Sequence, residues 1–343
     1  MNVFVIDTLE EFDHIKDAWN ALYGNAVYTT MFQHFECNRT WWQIHGARNN
    51  RKLYIIGYGS KKDIRLLFPT YLDKRGILKF MQQGCVDFLD ALYQNDYTEL
   101  YQTFGKIKKH IDNDRNIRGV SLMNLRKGSW LIDYLPAVYK QTPTFLLQKD
   151  LYSYVRYESY DEKRYLKTLK SKHYIKLKKV DSRIPSRFFV YEIKNKPFPE
   201  QEILRLLNMM QKHGIRKIKD YHDILKFIEK LYEKGLVFFI GHELDDEILS
   251  MTCLLYLKKD ELMGWVDFYN PDIKTVNLKN YLHILKFCRE HSLHFNLGTG
   301  LYEYKLKNFF PRFGTLHSFF YHKNRAMFFY YYFRKVVAAT LGR

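Results

Sequence analysis

Cysteine, proline and acidic side chains are all scarce in this sequence. Only Cys37, Cys85, Cys253 and Cys288 occur in 343 residues, and they lie far apart. With no CxxC pair and no Cys/His spacing of a zinc site, neither a disulfide framework nor a metal centre is indicated, and buried, reduced thiols are expected. HExxH, HxH, GxSxG, a Walker A loop and GxGxxG after a first strand are missing too, so metalloprotease, serine hydrolase, nucleotide-hydrolysing and nicotinamide chemistry have no anchor. No apolar run approaches the roughly 18 residues of a spanning helix, and the opening MNVFVIDTLEEF carries acids where a secretory leader is basic and then apolar. A cytoplasmic protein is the expectation.

The shortage of acids, 37 against 55 Lys and Arg, leaves a formal charge of +18. Such a surface attracts phosphates, nucleic acid or anionic lipid without choosing among them. What the chain has in abundance is aromatic side chains, 28 Tyr and 26 Phe, within a composition that is 46% hydrophobic. That is the composition of a folded protein, and the length suits two domains of about 150 residues.

The stretch from Val237 to Tyr321 is the most legible. Three apolar runs of strand length (VFFIGHEL, ILSMTCLLYL, LMGWVDFYN) are separated by short charged turns. A helix-length segment, the short strand HFNLGTG, a shorter helix and a last strand follow. In the longer helix Leu278, Tyr281, Leu282, Leu285 and Cys288 share one face, with Thr275 as the expected N-cap. A meander passing into a βαβ unit is unlike a doubly wound nucleotide fold. The first half reads as another α/β unit: a strand, a helix opened by Thr8 and Glu11, further helix within TTMFQHFECNRTWWQIHGA, then strands KLYIIGYG and IRLLFPTYL, with Pro69 marking an edge or bulge.

Two segments stand apart. Lys163 to Arg187 holds ten Lys and Arg and only Asp181 as an acid. It reads as a solvated amphipathic helix or as a basic wall, Lys172 included, beside an anionic substrate. The tail RAMFFYYYFRKVVAATLGR has six consecutive aromatics, Phe328 to Phe333, flanked by Arg325, Arg334 and Lys335; it suits either packing on the body or the headgroup level of a membrane.

The order of elements resembles the GNAT acyltransferase fold, and the whole chain is similar to its two-domain branch containing FemAB-like and CelD cellulose-biosynthesis proteins. The similarity rests on MFQHFECNRTWWQIHGARNNRKLYIIGY, on LLFPTYL, on the basic LKTLKSKHYIKLKKVDSR and on FNLGTGLYEYKLKNFFPRFG. The resemblance implies an α/β (α+β) chain of two tandem GNAT-like domains, each a mixed, mostly antiparallel sheet flanked by helices. These are 1–150 and 151–325, with 326–343 a C-terminal helix.

It further implies an N-acyltransferase that takes an acyl group from acyl-CoA, acetyl-CoA included, or a carrier thioester. The acceptor would be a small-molecule or lipid-linked amine, such as a sugar or cell-envelope precursor. An aminoacyl-tRNA-dependent ligase is the alternative within the fold; a non-catalytic module binding anionic membrane or nucleic acid is the alternative outside catalysis. The donor would lie in a fork between LMGWVDFYN and HFNLGTG, its diphosphate at the start of the following helix. That segment, PDIKTVNLKN, departs from the family by lacking glycine, leaving Lys274, Thr275, Asn277 and Lys279 as side-chain substitutes. Asp267, an acid between Val266 and Phe268, together with Tyr269, Tyr302, Glu303 and Tyr304, supplies candidate acid and base groups. Lys305 would hold an anionic acceptor, Asp87 matches an Asp after a Gly in the family's first domain, and His34 and Trp42 are candidates for the cleft between domains.

Overall fold

The computed structural model describes the chain apart from residues 1, 27–28, 47, 95–99, 140–142, 160–162, 218–220, 310, 341–343 and, save for 167, 172, 175 and 179, the segment 164–184. Most of the basic stretch therefore lies outside the described residues. The chain forms two units, Met1–Asp150 with Thr315–Arg343, and Leu151–Gly314. The tail helix thus belongs with the first unit and does not stand apart.

The elements of the first unit are β1 (Asn2–Ile6), α1 (Leu9–His14), α2 (Lys16–Asn25), α3 (Phe35–Trp41), β2 (Lys52–Leu53), β3 (Ile55–Gly59), β4 (Ile64–Phe68), β5 (Thr70–Leu72), β6 (Ile77–Phe80), β7 (Leu92–Tyr93), α4 (Leu100–Asn113), β8 (Gly119–Arg126) and α5 (Trp130–Val138). β9 (Thr144–Val155) leads out of it. In the second unit follow β10 (Arg187–Tyr191), α6 (Glu200–Lys212), α7 (His222–Glu233), β11 (Phe238–Leu244), β12 (Glu247–Lys258), β13 (Glu261–Tyr269), α8 (Val276–Glu290), β14 (His294–Thr299) and α9 (Glu303–Phe309). The chain then returns through β15 (Arg312–His322) to α10 (Arg325–Thr340).

In the first unit Pro69 does more than mark an edge. Lacking an N–H, it ends β4, and Tyr54 interrupts the facing strand at the matching point. One hairpin therefore serves two sheets: β3 and β4 pair within β1-β3-β4-β7, while β2 and β5 pair within β15-β8-β6-β5-β2. The Thr70 hydroxyl donates to the Tyr54 carbonyl and holds the crossover. At the N-terminus, the Thr8 hydroxyl accepts from the Glu11 amide and starts α1 as the sequence suggests.

In the second unit the strand order is β10-β11-β12-β13-β14-β9. α6 contributes Ile203, Leu206, Leu207 and Met210, and α7 contributes Phe227, Ile228, Leu231 and Tyr232, all fully buried. Tyr281, Ile284, Leu285 and Cys288 of α8 pack with Leu254, Leu262, Phe295 and Phe309. The apolar spacing of each helix produces this, since every such side chain removed from water contributes about 1.5–3 kcal/mol.

Each unit contains one parallel strand pair among the described residues, β6 with β8 and β13 with β14. All the other described pairs are antiparallel.

Candidate active site

The parallel pair of the second unit opens into a fork. β13 and β14 pair only through Glu261 with His294, Leu262 with Phe295 and Met263 with Asn296, although β13 continues to Tyr269 and β14 to Thr299. Asn296 stands at the crotch. Its amide nitrogen donates to Glu261 at 2.7 Å, and its side-chain oxygen accepts the Gly298 amide, also at 2.7 Å. That second bond diverts a backbone donor, and Gly298 takes a positive φ of 73° that few other residues accept. The strands part because a side chain has replaced a rung of the ladder.

In the first unit the chain's own residues occupy the equivalent opening. The Met123 amide donates to Gln83, the Asn124 side chain donates to the Val86 carbonyl, and the Leu89 amide donates to the Asn124 carbonyl. Asp87 lies half-buried in this plug.

Asp267 lies on β13 where the fork is open, opposite Thr252 of β12. Its carboxylate accepts from the Thr252 hydroxyl at 2.9 Å and from the Tyr281 hydroxyl at 2.6 Å, and Asn280 donates to the same Thr252 oxygen at 2.9 Å. Asp267 forms no ion pair with Lys or Arg among the described residues, so hydrogen bonds from Thr252 and Tyr281 hold this acid within its apolar run. Burial, and then the Asp267 charge, raise the Tyr281 phenol well above its ordinary range.

Tyr304 is hydrogen-bonded to Tyr281. Its ring is 43% exposed while its hydroxyl turns inward; burial first and the Asp267 charge second keep it protonated well beyond the usual phenol range. Tyr269 is raised for the same two reasons. The ring of Tyr302 lies 6.1 Å from that of Tyr304 and is 59% exposed. The structure thus gathers Asp267, Tyr269, Tyr302 and Tyr304 and adds Thr252, Asn280 and Tyr281, which the sequence reading did not select. Glu303 lies beside them but is paired with Lys307.

Other expectations need correction. Lys305 does not face an acceptor: it is 2% exposed and donates to the Thr299 carbonyl at 2.7 Å and the Gly298 carbonyl at 3.3 Å, clamping the end of β14. Lys279 is 6% exposed and donates to the Ser186 hydroxyl at 3.0 Å, so it is tied into the unit's interior. Asn277 accepts from the Ser250 hydroxyl at 3.4 Å. Thr275 occupies the N-cap position of α8 without capping it: its hydroxyl donates to the Lys274 carbonyl, and its φ is 74°, strained for a β-branched residue. Lys274 is exposed.

In the first unit His34 caps α3, its Nδ1 accepting the Glu36 amide at 3.2 Å, and Trp42 is 7% exposed and packed in the core. Lys172 is exposed.

No family model matches the chain, and no curated protein matches it in sequence. Solved structures do. The C-terminal domain of a candidate lysylphosphatidylglycerol synthetase from Agrobacterium fabrum is similar at TM-score 0.57 and 12% identity, covering 96% of this chain and 97% of that one. L-PGS from Bacillus licheniformis is similar at TM-score 0.56 and 12% identity, over 93% of each chain. A protein of unknown function from Bacteroides thetaiotaomicron follows at TM-score 0.55 and 9% identity, over 94% of this chain and all of that one. At these identities the likeness is one of fold: the chain is a mixed α/β protein of two units, each with a mostly antiparallel sheet flanked by helices.

Proposed function

We propose that the second unit is an acyltransferase whose donor lies in the β13/β14 fork. The observation that carries this reading is the hydrogen-bonded chain Asp267, Tyr281, Tyr304 on the open side of that fork. In the reaction the acceptor nitrogen forms a C–N bond to the donor carbonyl, the bond to the thiolate or ribose oxygen breaks, and the amine loses a proton. A carboxylate at one end of the chain favours the departing amine proton, and a phenol held protonated at the other end stabilises the leaving oxygen or sulfur by hydrogen bonding. A phenol of raised pKa is a weak acid, so Tyr304 acts by donating that bond more than by full transfer.

Two donors suit the fork. An acyl-CoA is the ordinary partner of the fold and, with a sugar or cell-envelope amine as acceptor, is the first reading of the sequence. An aminoacyl ester of tRNA is favoured by the start of α8, which has no glycine, a strained Thr275 and a Lys279 engaged elsewhere. The names of two structural neighbours, which describe synthesis of lysylphosphatidylglycerol or are abbreviated L-PGS, support it too. The sequence motifs favour the FemAB-like and CelD-like branch, which includes tRNA-dependent members.

The test is thermal unfolding of the purified chain with acetyl-CoA, longer acyl-CoAs and aminoacylated tRNA, at low and moderate salt. A ligand at a hundred times its dissociation constant adds about 2.7 kcal/mol. A salt-tolerant rise with one acyl-CoA, lost in Asp267→Asn, selects the thioester donor. A rise only with tRNA, falling steeply with salt, selects the ligase. Silence with every donor rejects the transferase and leaves a non-catalytic module binding anionic membrane or nucleic acid.

A further inference from the structure

A cavity of about 970 Å³ in the first unit has a lining that acyl transfer at the fork does not use. Three loops make it. Lys74 and Arg75 come from the β5–β6 turn, Arg115 and Arg118 from the α4–β8 loop, and Lys323 from the link between β15 and α10. Backbone bonds stitch the loops together: Arg118 N–H donates to the Gly76 carbonyl at 2.8 Å, and Lys323 N–H donates to the Arg118 carbonyl at 2.9 Å. Five cations from three separate segments are thereby fixed around one space.

Their charge is compensated only in part, by Asp73 near Arg75 and by Asp112 and Asp114 near Lys323. Asp112 is the only acid in the lining, and it is engaged by Lys108 at 2.5 Å. None of the five cations forms an ion pair among the described residues. Arg75 instead donates to the Tyr331 hydroxyl at 3.0 Å, and Lys323 to the Asp114 carbonyl at 2.8 Å. Like charges so gathered repel one another, and a concave wall focuses their field. A bound anion would relieve both, and guanidinium pairs match the oxygens of a phosphate. α10 begins at the same cavity, adding the positive end of a 16-residue helix.

We propose that this cavity binds a phosphate ester through Arg75, Arg115, Arg118 and Lys323. The ligand carries its phosphate at one end and meets the Tyr330 and Tyr331 rings with its body. The chemistry is shared by a lipid headgroup and a soluble phosphate. Phe329, Tyr330 and Phe333, all at least half exposed on α10, favour the headgroup. The site is independent of the acyl-transfer reading, since it uses no residue of the fork.

The experiment compares three proteins: the natural chain, Arg115→Glu with Arg118→Glu, and Lys62→Glu with Lys212→Glu. The last pair makes the same change in net charge at exposed positions outside the cavity. Calorimetric titration with inorganic pyrophosphate, and co-sedimentation with phosphatidylcholine vesicles with and without phosphatidic acid, are run at near-physiological ionic strength. Thermal unfolding confirms that each variant is folded, and Arg118→Gln repeats the test should the double reversal fail to fold.

The proposal expects binding that falls by about tenfold or more in the cavity variant and by less than about threefold in the control. Binding of pyrophosphate supports a soluble ligand. Binding confined to phosphatidic acid vesicles supports a headgroup. No binding to either probe, or equal loss in the two double variants, overturns the site.

Discussion

The Tyr281 hydroxyl donates to the Asp267 carboxylate at 2.6 Å, joining a helix to the strand that forms one arm of the fork. Removing either partner has different consequences. Asp267→Asn keeps the shape but removes the charge, and is expected to lower turnover by about a hundredfold with little change in unfolding midpoint. Tyr281→Phe leaves a half-buried carboxylate with one donor fewer and should destabilise by about 1–2 kcal/mol in addition to slowing turnover. Tyr304→Phe, at a more exposed ring, should cut the rate and spare stability. Equal activity in all three variants would remove the chain from the mechanism.

Asn296 sets where the fork opens, so its loss should be felt in structure before chemistry. Asn296→Ala removes a hydrogen bond to buried Glu261 and frees the Gly298 amide. The expected cost is about 2–4 kcal/mol in urea unfolding, from two polar groups left short of a partner. A change below 0.5 kcal/mol, at the level of ordinary surface substitutions, would mean that something else parts the strands.

How far the site could be read from sequence follows from where its parts lie. Asp267 declared itself as an acid inside an apolar run, and the tyrosines of LYEYK followed from the closing motif. Their partners did not. Thr252 sits in ILSMTCLLYL as one more strand residue until the β12–β13 register sets it opposite Asp267, and Tyr281 was counted on an apolar helix stripe in which it, Leu285 and Cys288 are buried while Leu278 and Leu282 are half-buried. Lys279 and Lys305 misled because lysine reads as surface, whereas both reach interior oxygens. The element order was legible because the change from period 2 to period 3.6 survives in one sequence; Pro69 was legible as a break, but its passage between two sheets was not.

Thr275 holds φ at 74° at the start of α8, which costs a β-branched residue about 1–2 kcal/mol. Thr275→Gly should therefore raise stability by about 1 kcal/mol, less the greater freedom glycine gains in the unfolded chain. Should the fork take a diphosphate, the same change also lets it approach the backbone more closely, and acyl-CoA affinity should rise. A destabilised Thr275→Gly protein would show that the hydroxyl contributes more than the backbone strain removes.

The six aromatics of the tail divide between two roles. Phe328 packs with Phe145 and Phe320, with Tyr331 and Tyr332 against the same cluster, while Phe329 and Phe333 face outward. Phe328→Ala should cost about 3–5 kcal/mol. Phe329→Ser with Phe333→Ser should change stability by less than about 0.5 kcal/mol while weakening any attachment to anionic vesicles. Equal destabilisation by both variants would mean that the outward face is also packed.

His242 makes the second unit sensitive to acid. It is fully buried on β11 with its ring 4.7 Å from that of His283, and its Nδ1 lies 3.3 Å from the Ser186 oxygen that also accepts from Lys279. Burial first, then the charges of His283 and Lys279, depress its pKa from 6.5 to about 3. The unfolded chain therefore binds a proton below pH 6.5 that the folded chain refuses until about pH 3. Stability from this group is complete above pH 6.5 and declines as pH falls through that window, at up to about 1.4 kcal/mol per pH unit. Urea unfolding at steps between pH 7.5 and 4.5 measures it, with His242→Gln as the comparison. The natural chain should lose stability faster on acidification than the variant, whose amide does not titrate. Parallel curves would show that His242 is protonated in the folded state, and that His283 and Lys279 do not oppose its charge.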